Sequence, residues 1–238
     1  IMNGQKELSF TEHLDEFRSA LIKSLGSILI ATCFAFSFAN AFIEELIRPI
    51  GKIVFIAPQE AFVSNILIAL LGGLFLASPF VFYQAWNFIS AGLQANEKKH
   101  IFIYGPVSFV LFIVGASFGY FVIVPIGLNF LLGFGSESLV PMITLSKYIS
   151  FIGMLTLSFG LAFELPIVIL FLTKLGIITP NFLASNRKVA IVLIFIVAAL
   201  ITPPDVVTQC LMALPLLILY EVGIFCSRIA HRKRDIEK

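Results

Sequence analysis

Residues 21–43 read LIKSLGSILIATCFAFSFANAFI, a run of 23 residues whose single charge, Lys23, sits near the start. As a helix rising 1.5 Å per residue this run reaches about 34 Å, enough for a hydrocarbon core of ~30 Å. Its apolar side chains follow one another without the every-second-residue alternation of a barrel strand, so it reads as a membrane-spanning helix. Five further runs, residues 63–88, 101–124, 149–172, 189–202 and 206–227, have the same character. The expected fold is an all-α polytopic membrane protein with six transmembrane helices. One membrane domain would cover residues 1–238, with 1–20 as a cytoplasmic interfacial segment and 228–238 as a basic cytoplasmic tail.

Composition leads to the same place. Of 238 residues, 59% are hydrophobic and 13% charged, and the mean hydropathy is +1.01. A soluble domain carries about 25% charged residues. This balance excludes a soluble enzyme, a nucleic-acid-binding protein and a disordered chain. The 26 phenylalanines against one tryptophan fit lipid-facing helices, and a net charge of +2 is too small to imply an acidic partner. Cys33, Cys210 and Cys226 lie inside apolar runs at unrelated spacings. They form neither a disulfide framework nor a metal-ligand pattern, and read as small packing residues. Glu7, Glu12, Asp15 and Glu16 occupy the first twenty residues, so no secretory leader is expected there.

The last two spans are short. Val189 to Thr202 is all that fits between Lys188 and the Pro203–Pro204 pair, about 21 Å of helix. Val206 to Tyr220 gives about 22 Å before Glu221. Local thinning of the bilayer is expected at that end. Lys and Arg set the orientation: 13 of 16 fall in the N-terminal tail, the second-to-third loop, the fourth-to-fifth loop and the C-terminal tail. Both termini are therefore expected in the cytoplasm. Prolines 79, 166 and 215 recur in spans two, four and six, but no tandem repeat stands out.

Acidic residues are the informative ones in so apolar a chain. Glu164, in Leu161-Ala162-Phe163-Glu164-Leu165-Pro166, lies near the middle of the fourth span. An acid at that depth costs about 2.5–3.5 kcal/mol on insertion scales. It reads either as a brace for the kink at Pro166 or as a polar point on a pathway or partner surface. Ahead of the first span, Glu12 and Glu16 share one helix face, while Leu14, Phe17 and Leu21 form an apolar stripe. Asn96-Glu97-Lys98-Lys99 adds a carboxylate at the same membrane face. These groups are either solvated interfacial charges or a receptor for two guanidinium groups, whose planar forks bind carboxylates bidentately. Asp205, in Thr202-Pro203-Pro204-Asp205, reads as a cap on the sixth helix. Thr202 and Gln209 read as polar groups joining helices, within the chain or to another protein.

Taken in order, the motifs resemble the TatC family, the multispanning core subunit of the twin-arginine protein translocase. They are Glu12-His13-Leu14 with Glu16 and Arg18; Ser78-Pro79-Phe80 with Tyr83-Gln84, Trp86 and Phe88; Glu97-Lys98-Lys99; and Phe118-Gly119-Tyr120-Phe121. Ser150-Phe151, Phe159-Gly160, Phe163-Glu164-Leu165-Pro166, Gly176-Ile177 with Thr179-Pro180, and Thr202-Pro203-Pro204-Asp205 with Gln209 and Glu221 complete the set. The resemblance implies that Glu16 and Glu97 bind the consecutive arginines of a signal peptide on a folded cargo protein, with Phe88 beside them. Glu164 would offer a polar group where the signal peptide inserts. Thr202, Gln209 and the two short spans would contact single-span subunits of the TatA/TatB type, and the protein would self-associate in a receptor complex. Pro49 would be a structural residue of the first outward loop. The implied location is the bacterial inner membrane and the implied energy source the proton-motive force, with no cofactor, metal, catalytic residue or nucleic acid. Ser90-Ala91-Gly92-Leu93, without the proline that often follows the second span, departs from the family pattern. The alternative function is a secondary transporter of a small solute with an intramembrane carboxylate. An intramembrane hydrolase fits poorly, because His13, His100 and His231 all lie near the cytoplasmic side.

Overall fold

The computed structural model describes residues 10–50, 53–54, 56–91, 101–133, 142–201 and 206–236. They form α1 (Phe10–Phe36), α2 (Ala39–Ile47), α3 (Pro58–Ala91), α4 (Ile101–Phe118), a π-helical turn (Gly119–Ile123) and α5 (Val124–Leu132). Then follow α6 (Leu145–Ala162), α7 (Leu165–Leu175), α8 (Pro180–Ser185), α9 (Arg187–Ile201) and α10 (Val206–Ile236). The chain is an all-α polytopic membrane protein. Five stretches are long and apolar enough to cross a bilayer: Thr11–Phe36, Pro58–Ser90, Ile103–Leu132, Leu145–Leu175 and Val206–Arg232. The sixth, α9, has only 15 residues, about 22 Å of helix.

Several helices run differently from the apolar runs. The first run is divided, because Ser37 and Phe38 donate their N–H groups to Phe34 and Ala35, three residues back. That tight turn ends α1 and redirects the chain into α2. The polar lead-in is not separate either, since α1 begins at Phe10 and passes straight into the membrane stretch. The third run extends to Leu132 through the π turn, where the Val124 N–H reaches back to the Gly119 carbonyl. One extra residue is inserted there just before Pro125, which has no N–H to donate. In the fourth run, Pro166 stands in the first turn of α7 and the chain bends through Phe163–Glu164. Pro79, by contrast, lies inside the continuous α3. The Phe75 carbonyl, which a residue-79 N–H would have bonded, accepts instead from Ser78 Oγ at 2.6 Å. The helix of the last run continues to Ile236, and past Glu221 the apolar residues 222–226 lengthen it, so that Val206–Arg232 is long enough to cross.

The chain divides into two compact units, Ile1–Phe109 with Ile143–Ile149, and Val110–Met142 with Ser150–Lys238. In the first, α1 and α3 pack antiparallel. Ala35 faces Gly72, Thr32 faces Gly73, and Glu16–Lys23 lie alongside Gln84–Ser90. A methyl group added at Gly73 would stand 2.6 Å from the Thr32 Cα, so the two backbones touch there without an intervening side chain. Lipid supplies no hydrophobic drive between helices, and such close contact is what holds them together. At the far end of this pair, Ala39, Ile43, Ile68, Ala69, Leu145 and Ile149 form a buried cluster. Glu60 closes the same region, accepting from the Ile56 N–H at 2.9 Å and the Ser146 N–H at 3.0 Å. Val54 pairs with the chain at Ile143–Leu145, and Tyr148 Oη donates to the Leu46 carbonyl at 2.7 Å.

In the second unit, Gly115 and Gly160 serve a similar crossing. A Cβ on Gly115 would meet the Phe159 carbonyl, and one on Gly160 would meet the Phe112 ring. Between α7 and α10, the fully buried Thr173 and Ser227 hydroxyls lie 2.7 Å apart. Gly176 ends α7 at φ 77°, a left-handed conformation suited to glycine. The neighbouring Thr179 side chain then accepts from the Phe182 N–H and starts α8.

Gly73→Ala is expected to lower stability by about 1–3 kcal/mol, because the clash is with backbone that cannot rotate away. Gly72→Ala meets only the Ala35 methyl at 3.3 Å, and its effect should stay within about 1 kcal/mol. Thermal unfolding of the two variants in detergent compares them directly.

Candidate functional site

Helical spacing sets Glu16 three residues from His13 and seven from Lys23, on the α1 face that meets α3. A cavity of about 390 Å³ opens between the two helices. Glu16, Ser19, Ala20 and Lys23 line it from α1, and Gln84, Asn87, Phe88 and Ser90 from α3. Glu16 is half-buried. Its Oε2 is shielded from solvent and, among the described residues, has no hydrogen-bond partner. A carboxylate oxygen so placed costs free energy until a donor arrives.

The aromatic side of the cavity is held from two directions. The Phe88 ring stacks on His13, with centroids 4.7 Å apart and planes at 26°, and tilts against Phe17 at 5.4 Å. Two residues earlier, the Trp86 indole N–H donates to Ser108 Oγ at 3.0 Å, and its ring packs on Tyr104 at 5.2 Å. Trp86 and Ser108 are both buried, so this bond fixes the α3 turn that carries Gln84 and Phe88. Ser90 Oγ donates to the Asn87 carbonyl at 2.6 Å.

The other candidates fall as follows. Glu97, Thr202 and Asp205 lie outside the described residues. Pro49 is exposed in the turn that follows α2, next to an exposed Arg48–Glu45 pair at 3.2 Å. Glu164 stands at the junction of α6 and α7 and makes no side-chain cap bond to α7. Its Oε1 is enclosed, and its carbonyl accepts from the Val168 N–H at 3.0 Å. Gln209 Nε2 donates to the Phe195 carbonyl at 3.0 Å, tying α10 to α9. At the other end of the same pair, the Arg187 guanidinium takes both oxygens of Glu221, at 2.7 and 2.9 Å. Tyr220 Oη donates to the Leu183 carbonyl at 2.9 Å.

Two residues of the cavity, and one of the cluster at the far end of the α1–α3 pair, escaped the sequence reading. Lys23 looked like a lone charge in an apolar run, although its seven-residue spacing from Glu16 puts both on one face. Gln84 passed as part of a motif. Glu60 carried no signal beyond its place in the first turn of α3, where a carboxylate is a common cap.

The family described as Sec-independent protein translocase protein (TatC) matches residues 12–215. The chain belongs to the TatC family. Over 245 residues it is 41% identical to the Sec-independent protein translocase protein TatC of Desulforapulum autotrophicum, covering all of this chain and 91% of that one. It is 43% identical to the TatC of Carboxydothermus hydrogenoformans, covering 96% of each. A crystal structure of the twin-arginine translocase receptor TatC superposes with a TM-score of 0.84 at 43% identity. That match covers 92% of this chain and 99% of the other. These relatives are translocase proteins, and none supports the alternative of a small-solute transporter.

Trp86→Phe and Ser108→Ala are each expected to cost about 1–3 kcal/mol, since each strands a buried partner. The double variant should cost less than the sum of the two, read as unfolding midpoints in detergent.

Proposed function

We propose that this chain is the signal-peptide receptor and core subunit of a twin-arginine translocase, moving folded proteins across the bacterial cytoplasmic membrane with the proton-motive force. The observation that carries the reading is Glu16: a half-buried carboxylate, one oxygen enclosed and unbonded among the described residues, in a polar cavity walled by a stacked phenylalanine. A guanidinium supplies five N–H donors in a rigid fork, and meets such an oxygen with charge as well as geometry. Glu97 would provide the second carboxylate for the neighbouring arginine.

Both termini would lie in the cytoplasm, in keeping with the Lys and Arg distribution, and the Glu16 cavity would open on that side. Glu164 would offer its carboxyl to the inserted signal peptide within the membrane. Gln209 and Thr202, on the short-span pair, would meet single-span subunits of the TatA/TatB type. Gln209 spends one amide proton on Phe195 and keeps its carbonyl and second proton for such a partner. Pro49 and Asp205 would shape the outward loops.

Glu16→Gln is expected to weaken binding of a twin-arginine peptide by roughly ten- to a hundredfold, the worth of a charge-assisted hydrogen bond. Fluorescence anisotropy on the purified protein measures it, and unchanged affinity would refute the assignment. Glu164→Gln should leave that affinity intact while reducing transport into inverted membrane vesicles; wild-type transport would remove Glu164 from the pathway.

A further inference from the structure

Gln84 is only 7% exposed, yet its side chain makes no hydrogen bond to any described residue. It lines the same cavity as Glu16. Neither polar atom of its amide is enclosed without a partner, so water reaches it in the cavity, and a ligand's donor can take that water's place. Lys23 stands on the same lining, exposed, with no ion-pair partner among the described residues. The described lining thus carries one carboxylate and one ammonium, whose formal charges cancel.

That balance bears on selectivity. A net anionic cavity would attract any cation, and a lysine would serve nearly as well as an arginine. With Glu97 joining Glu16 in the proposed site, Lys23 brings the cavity from two negative charges to one, and the cavity gains less from charge alone. Its preference then rests on how many well-placed acceptors the ligand's donors satisfy. Glu16 and the Gln84 amide oxygen, reached from opposite helices, are two acceptors of different charge. A guanidinium is planar and delocalised, and it is more weakly hydrated than an ammonium. It can bridge both acceptors, and it loses less on leaving water.

We propose that Gln84 is a specificity-determining residue of the cavity, acting as the neutral acceptor that selects guanidinium over ammonium, while Lys23 suppresses indiscriminate attraction of cations. The proposal rests on Glu16 being the guanidinium site. It assigns tasks to two residues that this site does not otherwise use.

The test titrates two synthetic peptides, one with consecutive arginines and one with lysines in their place, against the purified protein and four variants. The wild type should favour the arginine peptide by about tenfold or more, the scale of one stranded buried acceptor. Gln84→Met keeps the volume and removes the amide; it should weaken the arginine peptide and shrink the ratio severalfold. Gln84→Glu keeps size and polarity but adds charge; it should tighten both peptides and also narrow the ratio. Lys23→Gln should tighten both and make binding more sensitive to salt. An arginine-to-lysine ratio unchanged in both Gln84 variants overturns the role of Gln84. Unchanged affinities and salt dependence in Lys23→Gln overturn that of Lys23. Glu16→Gln separates the two levels: if it leaves both peptides bound at wild-type strength, the site reading itself falls. If it weakens them while the Gln84 variants keep the ratio, only the present inference falls.

Discussion

The contact of the Gly73 backbone with Thr32 governs what the first unit does. Between two helices in lipid there is no hydrophobic gain to hold them, and dispersion and hydrogen bonding act only at short range. Removing the side chain at Gly73 lets α3 lie directly on α1. Ala35 on α1, with Ala69 and Ala77 on α3, is buried along the same pair, and Ala39 is buried at the start of α2. Further along, where Ser19, Lys23, Gln84 and Asn87 replace these small residues, the packing gives way to a cavity. The cavity is therefore a consequence of the close crossing: a tight contact at one end of two long helices leaves an opening at the other.

Much of this was open to reading in the sequence because membrane helices declare themselves by length and continuity. Glu16 was singled out by residue chemistry and Phe88 through the resemblance to the TatC family, and the structure brings both to one cavity. What stayed hidden depends on tertiary contact. The break at Ser37–Phe38 has neither proline nor glycine to announce it; it follows from α2 burying Ala39 and Ile43 against α3. The π turn preserves hydrophobicity throughout, so periodicity passes over it. Gln84 and Lys23 gain meaning only when two distant helices are laid side by side, and a single run of letters carries no such pairing.

In the second unit polar groups mark the limits of the short-span pair. Gln209 bonds the Phe195 carbonyl near one end, and Arg187 holds Glu221 near the other. Beyond Lys188 the stretch between them is apolar on both helices, and α9 has only 15 residues with which to cross. Most of its large side chains stay exposed, Leu200 at 74%, which suits a surface bathed in lipid or covered by another membrane helix. The Arg187–Glu221 pair is itself about half exposed, and its contribution to stability is correspondingly small. Its fork geometry aligns the two helices more than it strengthens them.

Glu60 joins pieces of chain that lie 86 residues apart, reaching the Ile56 N–H with one oxygen and the Ser146 N–H with the other. With the Val54 bridge and the Tyr148 phenol alongside, the connection after α2 and the entry to α6 are stitched into one plate. A pull on either segment is thus shared by the other, so this end of the unit transmits force as a solid lid and does not flex as two independent tethers.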